Sequence, residues 1–370
     1  MQAPPPEDTP VARVVQNVLR RTLRLKRGES VIIEAWSHMV HWSDAFVYEA
    51  RRMGARPLVF FEDEETYWKS VETLPAKEIG KVGEAEWSAL EGTDAYVFLW
   101  GPANRARLQA LPDDKRSALT AYNGEWYRRA EKAKIRACRI ELGRATDFTA
   151  RQYGVSGPVW REKLLEGSLV DPSVLTRDGR KVASKLAKGR SLTIRHANGT
   201  DLTLGLARRK PTIDDMVVDA EDVRAGNNVV SVPGGGVYVA LDEKVASGTI
   251  VANRASYGFN SAQVGGRWEF AEGRLTSFAF ERGGELFQEK YDAAPEKERD
   301  RPGFFSIGLN PKVYDAPNLE DVERGSVLVG VGANAGYGGK NSGPFSAWIG
   351  LAASHVEVDG APIVADGEIL

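Results

Sequence analysis

The chain has 370 residues, of which 42% are hydrophobic, 27% charged and 9% aromatic, a composition ordinary for a globular protein. Its 49 basic and 51 acidic residues leave a net charge of −2, so no basic field is available to hold nucleic acid by counterion release. No apolar run approaches the roughly 18 residues of a membrane span, and the single cysteine, Cys138, excludes an internal disulfide framework and a cysteine-based zinc cluster.

At about 150 residues per domain, the length predicts two domains. The opening MQAPPPEDTP is proline-rich and acidic. It lacks the basic start and apolar core of a secretion signal, so the expected compartment is the cytoplasm. Val11, Val14, Val15, Val18, Leu19 and Leu23 recur at helical spacing and predict a helix over 11–27. A turn at Lys26 to Glu29 follows, then the apolar run Ser30 to Trp36, of buried-strand type. A second helix is predicted over 43–53, capped by Ser43 and stopped by Gly54. Further strands are predicted at Arg56 to Phe61, Asp94 to Trp100 and Lys134 to Ile140, with a helix over 82–91. Strands alternating with helices predict an open, mostly parallel α/β sheet over 1–185, because parallel strands need helical crossovers. Trp36, Phe61 and Trp100 then mark the rim where ligands of such sheets sit. No glycine-rich phosphate loop follows the first strand, which excludes a dinucleotide fingerprint there.

Residues 186–370 change character towards glycine and short strands. Strands are predicted at 191–196, 201–204, 237–240, 248–252, 267–270 and 275–280. Ala271-Glu272-Gly273-Arg274 forms the hairpin turn between the last two. A short helix is predicted over 284–291. This half is expected to be a mainly antiparallel β domain.

Several stretches in a fixed order carry a resemblance: Gly199 to Thr203; Asn227-Asn228 leading to Val232-Pro233-Gly234-Gly235-Gly236-Val237-Tyr238; Ala246 to Val251; and, near the start, Leu25 to Val31 and Ala50 to Ala55. Together they resemble the M29 metallo-aminopeptidases over roughly 11–365. The resemblance implies two domains, a homodimer and an enclosed active site on the β-rich domain. A related branch of that superfamily contains iron-dependent dioxygenases that open dihydroxypyridine rings. At the positions where the family carries metal ligands this sequence carries none. Gly236 and Ser306 stand for the two glutamates and Leu328 for a histidine. The closing His-x-Asp pair becomes Ile349 and Leu351, or Trp348 and Gly350 if the register slips by one. Glycine and leucine offer a cation neither anionic oxygen nor imidazole nitrogen. The expectation is therefore a metal-free member with no cofactor.

Other candidates follow from residue types. Pro233-Gly234-Gly235-Gly236 could present backbone N–H donors as an anion nest, or could be a plain turn. In the glycine-dense segment 330–343, Asn334, Tyr337, Lys340 and Asn341 are candidate ligand contacts. The segment is no Walker loop, because Asn341 follows Gly339-Lys340. Ser306 with Lys340 could form a Ser–Lys pair, and Tyr337 sits near the family's catalytic tyrosine. Trp348 is expected to face the ancestral cavity and to make it a dry aromatic pocket for a small planar or apolar molecule. His38 and His41 lie one helical turn apart beyond the first strand, either as a relocated metal or acid–base site or as solvated surface residues. The reading that combines these is a metal-independent hydrolase-type enzyme, a homodimer acting on a small amide, amino-acid derivative or ring compound. The alternatives are a non-catalytic binding protein, and an active metallo-aminopeptidase or dioxygenase with relocated ligands.

Overall fold

The computed structural model describes residues 9–108 and 110–370. The opening MQAPPPED, read above as unlike a secretion signal, lies outside the described residues. The chain packs as two units, one built from residues through Leu169 with Met216–Pro233, the other from Val170–Asp215 with Gly234–Leu370. The single boundary expected after residue 185 falls inside the helix Pro172–Lys188, which belongs to the second unit. Residues 216–233 return to the first, because they supply its fifth strand. In chain order the first eight strands are β1 Ser30–Trp36, β2 Arg56–Glu62, β3 Ala95–Phe98, β4 Arg136–Ile140, β5 Ser191–His196, β6 Thr200–Leu206, β7 Thr212–Asp214 and β8 Val229–Val232.

In the first unit five parallel strands run in the order β2-β1-β3-β4-β8. The chain leaves β1 towards β2, then returns across it to β3, so the topological switch lies between the carboxyl ends of β1 and β3. Right-handed crossovers put the helix after β1 and the helices after β2 on opposite faces. Trp87 and Leu90 of the helix Glu84–Glu91, with Ala130 of the helix Asp113–Lys132, pack on Ile32, Tyr96 and Ala137. The first helix covers only Pro10–Asn17, and a wider turn follows at Val18–Thr22. Its start is set by the Thr9 hydroxyl, which accepts the Ala12 N–H at 3.2 Å. The second helix begins at Val40, before the expected cap. Ser43 instead turns its hydroxyl back to the Val40 carbonyl at 2.7 Å.

The second unit adds β9 Gly236–Val251, β10 Arg267–Ala271, β11 Arg274–Ala279, β12 Pro302–Gly308, β13 Val327–Gly332, β14 Ser346–Leu351, β15 His355–Val358, β16 Ala361–Ala365 and β17 Glu368–Ile369. Its spine is an antiparallel path β14-β13-β12-β9-β6-β5-β15-β16-β17, with β7 and the β10–β11 hairpin attached to β9. The two strands expected at 237–240 and 248–252 are one strand, β9. It pairs with β12 and β7 at its start and with β6 and β10 at its end. Glu272 and Gly273 both take positive φ, 51° and 72°, in the turn joining β10 to β11, as a two-residue primed turn requires.

Candidate functional site

Pairing across β9, β12, β13 and β14 defines the face on which the resemblance puts its metal centre. Gly236 lies opposite Gly308, Tyr238 opposite Ser306, Ser306 opposite Leu328, Leu328 opposite Gly350 and Gly330 opposite Trp348. Directly opposed residues share a face. Gly236, Tyr238, Ser306, Leu328, Trp348 and Gly350 therefore line one side, and Ile349 and Leu351 point to the other. Of the two candidate pairs, Trp348 and Gly350 share the face of Ser306 and Leu328.

Aromatic rings fill this side. Tyr337, in the short 3₁₀ turn Ala335–Tyr337, stacks on Tyr238 with ring centroids 5.7 Å apart and an interplanar angle of 12°. It also tilts against Phe304 at 4.9 Å. The Tyr238 hydroxyl donates to Asp321 at 2.7 Å. Burial, then the Asp321 and Asp214 carboxylates, push its phenol well above the ordinary value. A Cβ at Gly236 would sit 2.8 Å from that phenol oxygen and 2.9 Å from the Asp321 carbonyl. The space a ligating side chain at 236 would need is thus held by Tyr238. The Ser306 hydroxyl is fully buried and makes no hydrogen bond, and the buried Trp348 indole N–H likewise finds no acceptor among the described residues. These residues do not fit a pair of metal ions. The six positions offer one hydroxyl and one phenol, and no three His, Cys, Asp or Glu side chains gather as a metal-binding group among the described residues.

The loop candidates serve the protein's own backbone. The Asn334 amide donates to Glu243 and to the Gly303 carbonyl, each at 3.0 Å, and its oxygen accepts the Asn341 N–H at 2.9 Å. The Asn341 amide donates to the carbonyls of Glu298 at 2.8 Å and Gly332 at 3.0 Å. The exposed Lys340 donates its backbone N–H to Glu243 at 2.8 Å. Burial raises the Glu243 carboxyl, but Arg209 and the Lys340 and Asn334 donors outweigh it and hold it at about 2. In the glycine run, the Gly234 carbonyl takes the Asn310 amide at 2.9 Å and the Gly235 carbonyl takes the Leu309 N–H at 3.0 Å. His38 and His41 do not form a metal pair. The His38 ring contacts the Gly143 carbonyl through Nε2 at 3.1 Å, and burial pushes its pKa down, whereas His41 is exposed.

The first unit holds a concavity of about 590 Å³ at the switch between β1 and β3. Trp36 and Phe98, the last residues of those strands, line it together with Gly101, Pro102 and Arg105 from the loop after β3. Glu34, Glu62 and Glu86 enter from β1, β2 and the helix Glu84–Glu91. The Tyr96 hydroxyl donates to Glu34 in a short hydrogen bond. Burial pushes the Glu34 carboxyl up to about 7. The Tyr96 bond and the nearby Trp36 indole, which stops short of hydrogen-bonding geometry, pull it partway back, and Glu86 and Glu62 raise it further. Glu62 is also raised, by burial and then by Glu86 and Asp63. Tyr122 donates to Glu86 at 3.3 Å. Sequence reasoning placed ligands at this rim through Trp36 but missed the carboxyl cluster. Its one linear signal is a glutamate inside the apolar run of β1.

Neither a described protein family nor a curated protein matches the chain. Solved structures do. Wild-type AmpT from Thermus thermophilus is 18% identical, with a TM-score of 0.71 over 99% of this chain and 100% of that one. The 2,5-dihydroxypyridine dioxygenase from Pseudomonas putida is 16% identical, with a TM-score of 0.63 over 97% of this chain and 96% of that one. The parallel α/β sheet followed by a large antiparallel sheet is the M29 aminopeptidase-like fold.

Proposed function

We propose that this chain is a metal-independent protein of the aminopeptidase-like fold, working as a homodimer in the cytoplasm, and that it acts as a hydrolase on a small amide, amino-acid derivative or ring compound. One observation carries the metal-independent part. The Tyr238 phenol, bonded to Asp321, occupies the direction a ligating side chain at 236 would take. Around it Leu328, Trp348 and Gly350 supply no donor a divalent cation accepts. Ser306 and Tyr337 on this face, Lys340, the Gly234–Gly236 run, Asn334, Asn341 and Trp348 remain the proposed catalytic and contact residues.

The test has two stages. Purified protein is exposed to Zn²⁺, Co²⁺, Mn²⁺ or Fe²⁺, desalted and assayed for bound metal, and its melting temperature is compared with and without chelator. The expected result is well under one ion per chain and no melting shift. Stoichiometric metal with a stabilisation of about 3 kcal/mol, the mass-action gain at a hundredfold excess over Kd, overturns the reading. A turnover screen over amides and ring compounds, repeated with Ser306→Ala, then tests hydrolysis. Loss of turnover in that variant supports Ser306 as nucleophile. A second reading, binding without catalysis, is favoured by the complete burial of Ser306 and its lack of any hydrogen-bonded base. It predicts ligand-induced stabilisation without turnover.

A further inference from the structure

The cavity of the first unit is lined by residues of that unit alone, and its chemistry selects a ligand. Three carboxyl groups, Glu34, Glu62 and Glu86, share a space of about 590 Å³ with the rings of Trp36, Phe98 and Trp126. The electrostatic influences on Glu34 and Glu62 come from other carboxylates, so each raises its neighbours' cost of ionisation. Lys81, Arg105, Arg116 and Arg139 line the same cavity, and each has a partner other than Glu34, Glu62 and Glu86. Lys81 pairs with Glu78 at 2.9 Å, Arg116 with Asp113, and Arg139 reaches the Ser231 hydroxyl at 3.1 Å. Arg105 lies over the Trp100 ring at 4.6 Å. One further observation marks the space as built for a ligand. Trp36 is 6% exposed, and its indole N–H lines the cavity without completing a hydrogen bond. An apolar wall around uncompensated carboxyls is the environment in which an ammonium group gains both ion pairing and attraction to ring faces. A cavity of this size accommodates a small organic molecule.

We propose that this cavity binds a small organic ammonium ion, its charged nitrogen among Glu34, Glu62 and Glu86 and its apolar body against Trp36, Phe98 and Trp126. The inference is independent of the metal-free reading of the second unit, since no residue of that unit lines the cavity.

The test is calorimetric titration and tryptophan fluorescence on the full chain with three probes of one shape: phenethylammonium, neutral 2-phenylethanol and anionic phenylacetate. Phenethylammonium is expected to saturate with a Kd on the order of 1 mM, the range that ligand efficiency allows so small a molecule. The alcohol and the acid are expected to bind roughly tenfold more weakly or not at all. Binding of the cation should strengthen from pH 6 to pH 8 as Glu34, facing Tyr96, Glu62, Glu86 and Tyr122, loses its proton. The double variant Glu62→Gln with Glu86→Gln should raise the Kd about tenfold while leaving circular dichroism unchanged. Equal affinity for cation, alcohol and acid in the unaltered protein overturns the proposal without recourse to any variant. So does the lack of saturation by phenethylammonium, or an unchanged Kd in a natively folded double variant.

Discussion

Replacing Glu34 with glutamine tests the electrostatics of the first unit directly. The Glu34 carboxyl moves from an ordinary 4.5 to about 7 because the fold buries it beside Glu86 and Glu62. Below pH 4.5 the folded and unfolded chains both hold the proton, and the group has no effect on stability. Between pH 4.5 and 7 the unfolded chain releases the proton while the folded chain keeps it, so stability falls as pH rises. Above pH 7 the full cost persists. At about 1.4 kcal/mol per tenfold change in proton affinity, that cost is about 3 kcal/mol. Glutamine carries no charge and still offers Tyr96 an acceptor. Glu34→Gln should therefore match the unaltered protein at pH 5 within about 1 kcal/mol and exceed it at pH 8 by about 3 kcal/mol. At about 2–4 °C per kcal/mol in a unit of this size, the pH 8 gain is roughly 6–12 °C in melting temperature. Urea unfolding followed by tryptophan fluorescence at half-unit pH steps measures it. The other titrating groups are common to both proteins and largely cancel in the difference. A stability difference that stays flat from pH 5 to pH 8, or that runs the other way, would refute the assignment of a buried, proton-holding Glu34.

Further expectations concern both units. Gly236→Glu drives a side chain into the Tyr238 hydroxyl and the Asp321 carbonyl; it should cost about 2–4 kcal/mol in denaturant unfolding and create no metal binding by elemental analysis. Tyr238→Phe removes the 2.7 Å bond to Asp321; a loss of about 1–2 kcal/mol is expected, and an unchanged midpoint would show that bond to be idle. Asn334→Ala deletes the donor to Glu243 and Gly303 and the acceptor for Asn341; limited proteolysis should then cut within 333–343 faster than in the unaltered protein. Cys138 is buried, and burial pushes its thiol far up; a thiol reagent should leave the folded protein unlabelled over hours and take up one equivalent in denaturant.

Local pattern alone identified most elements. Apolar runs bounded by turn residues located β1 to β4, and the Glu272-Gly273 turn located the β10–β11 hairpin, because burial and positive φ leave marks on neighbouring residues. Composition also shows that Gly236, Leu328 and Gly350 carry no donor for a cation, since a side chain's donor atoms do not depend on its surroundings. Pairing between distant segments was not legible. β8 joins β4 from about 90 positions away, and its four residues carry no mark of which sheet they complete. Register between β13 and β14 decides that Trp348, and not Ile349, shares the face of Ser306, because a one-residue slip turns every side chain over. Only packing shows that the Tyr238 hydroxyl takes the place beside Gly236. The cavity of the first unit is likewise a product of tertiary structure. Glu34, Glu62, Glu86 and Tyr122 come from four separate elements, and each is an unremarkable residue until the fold removes water from around them together.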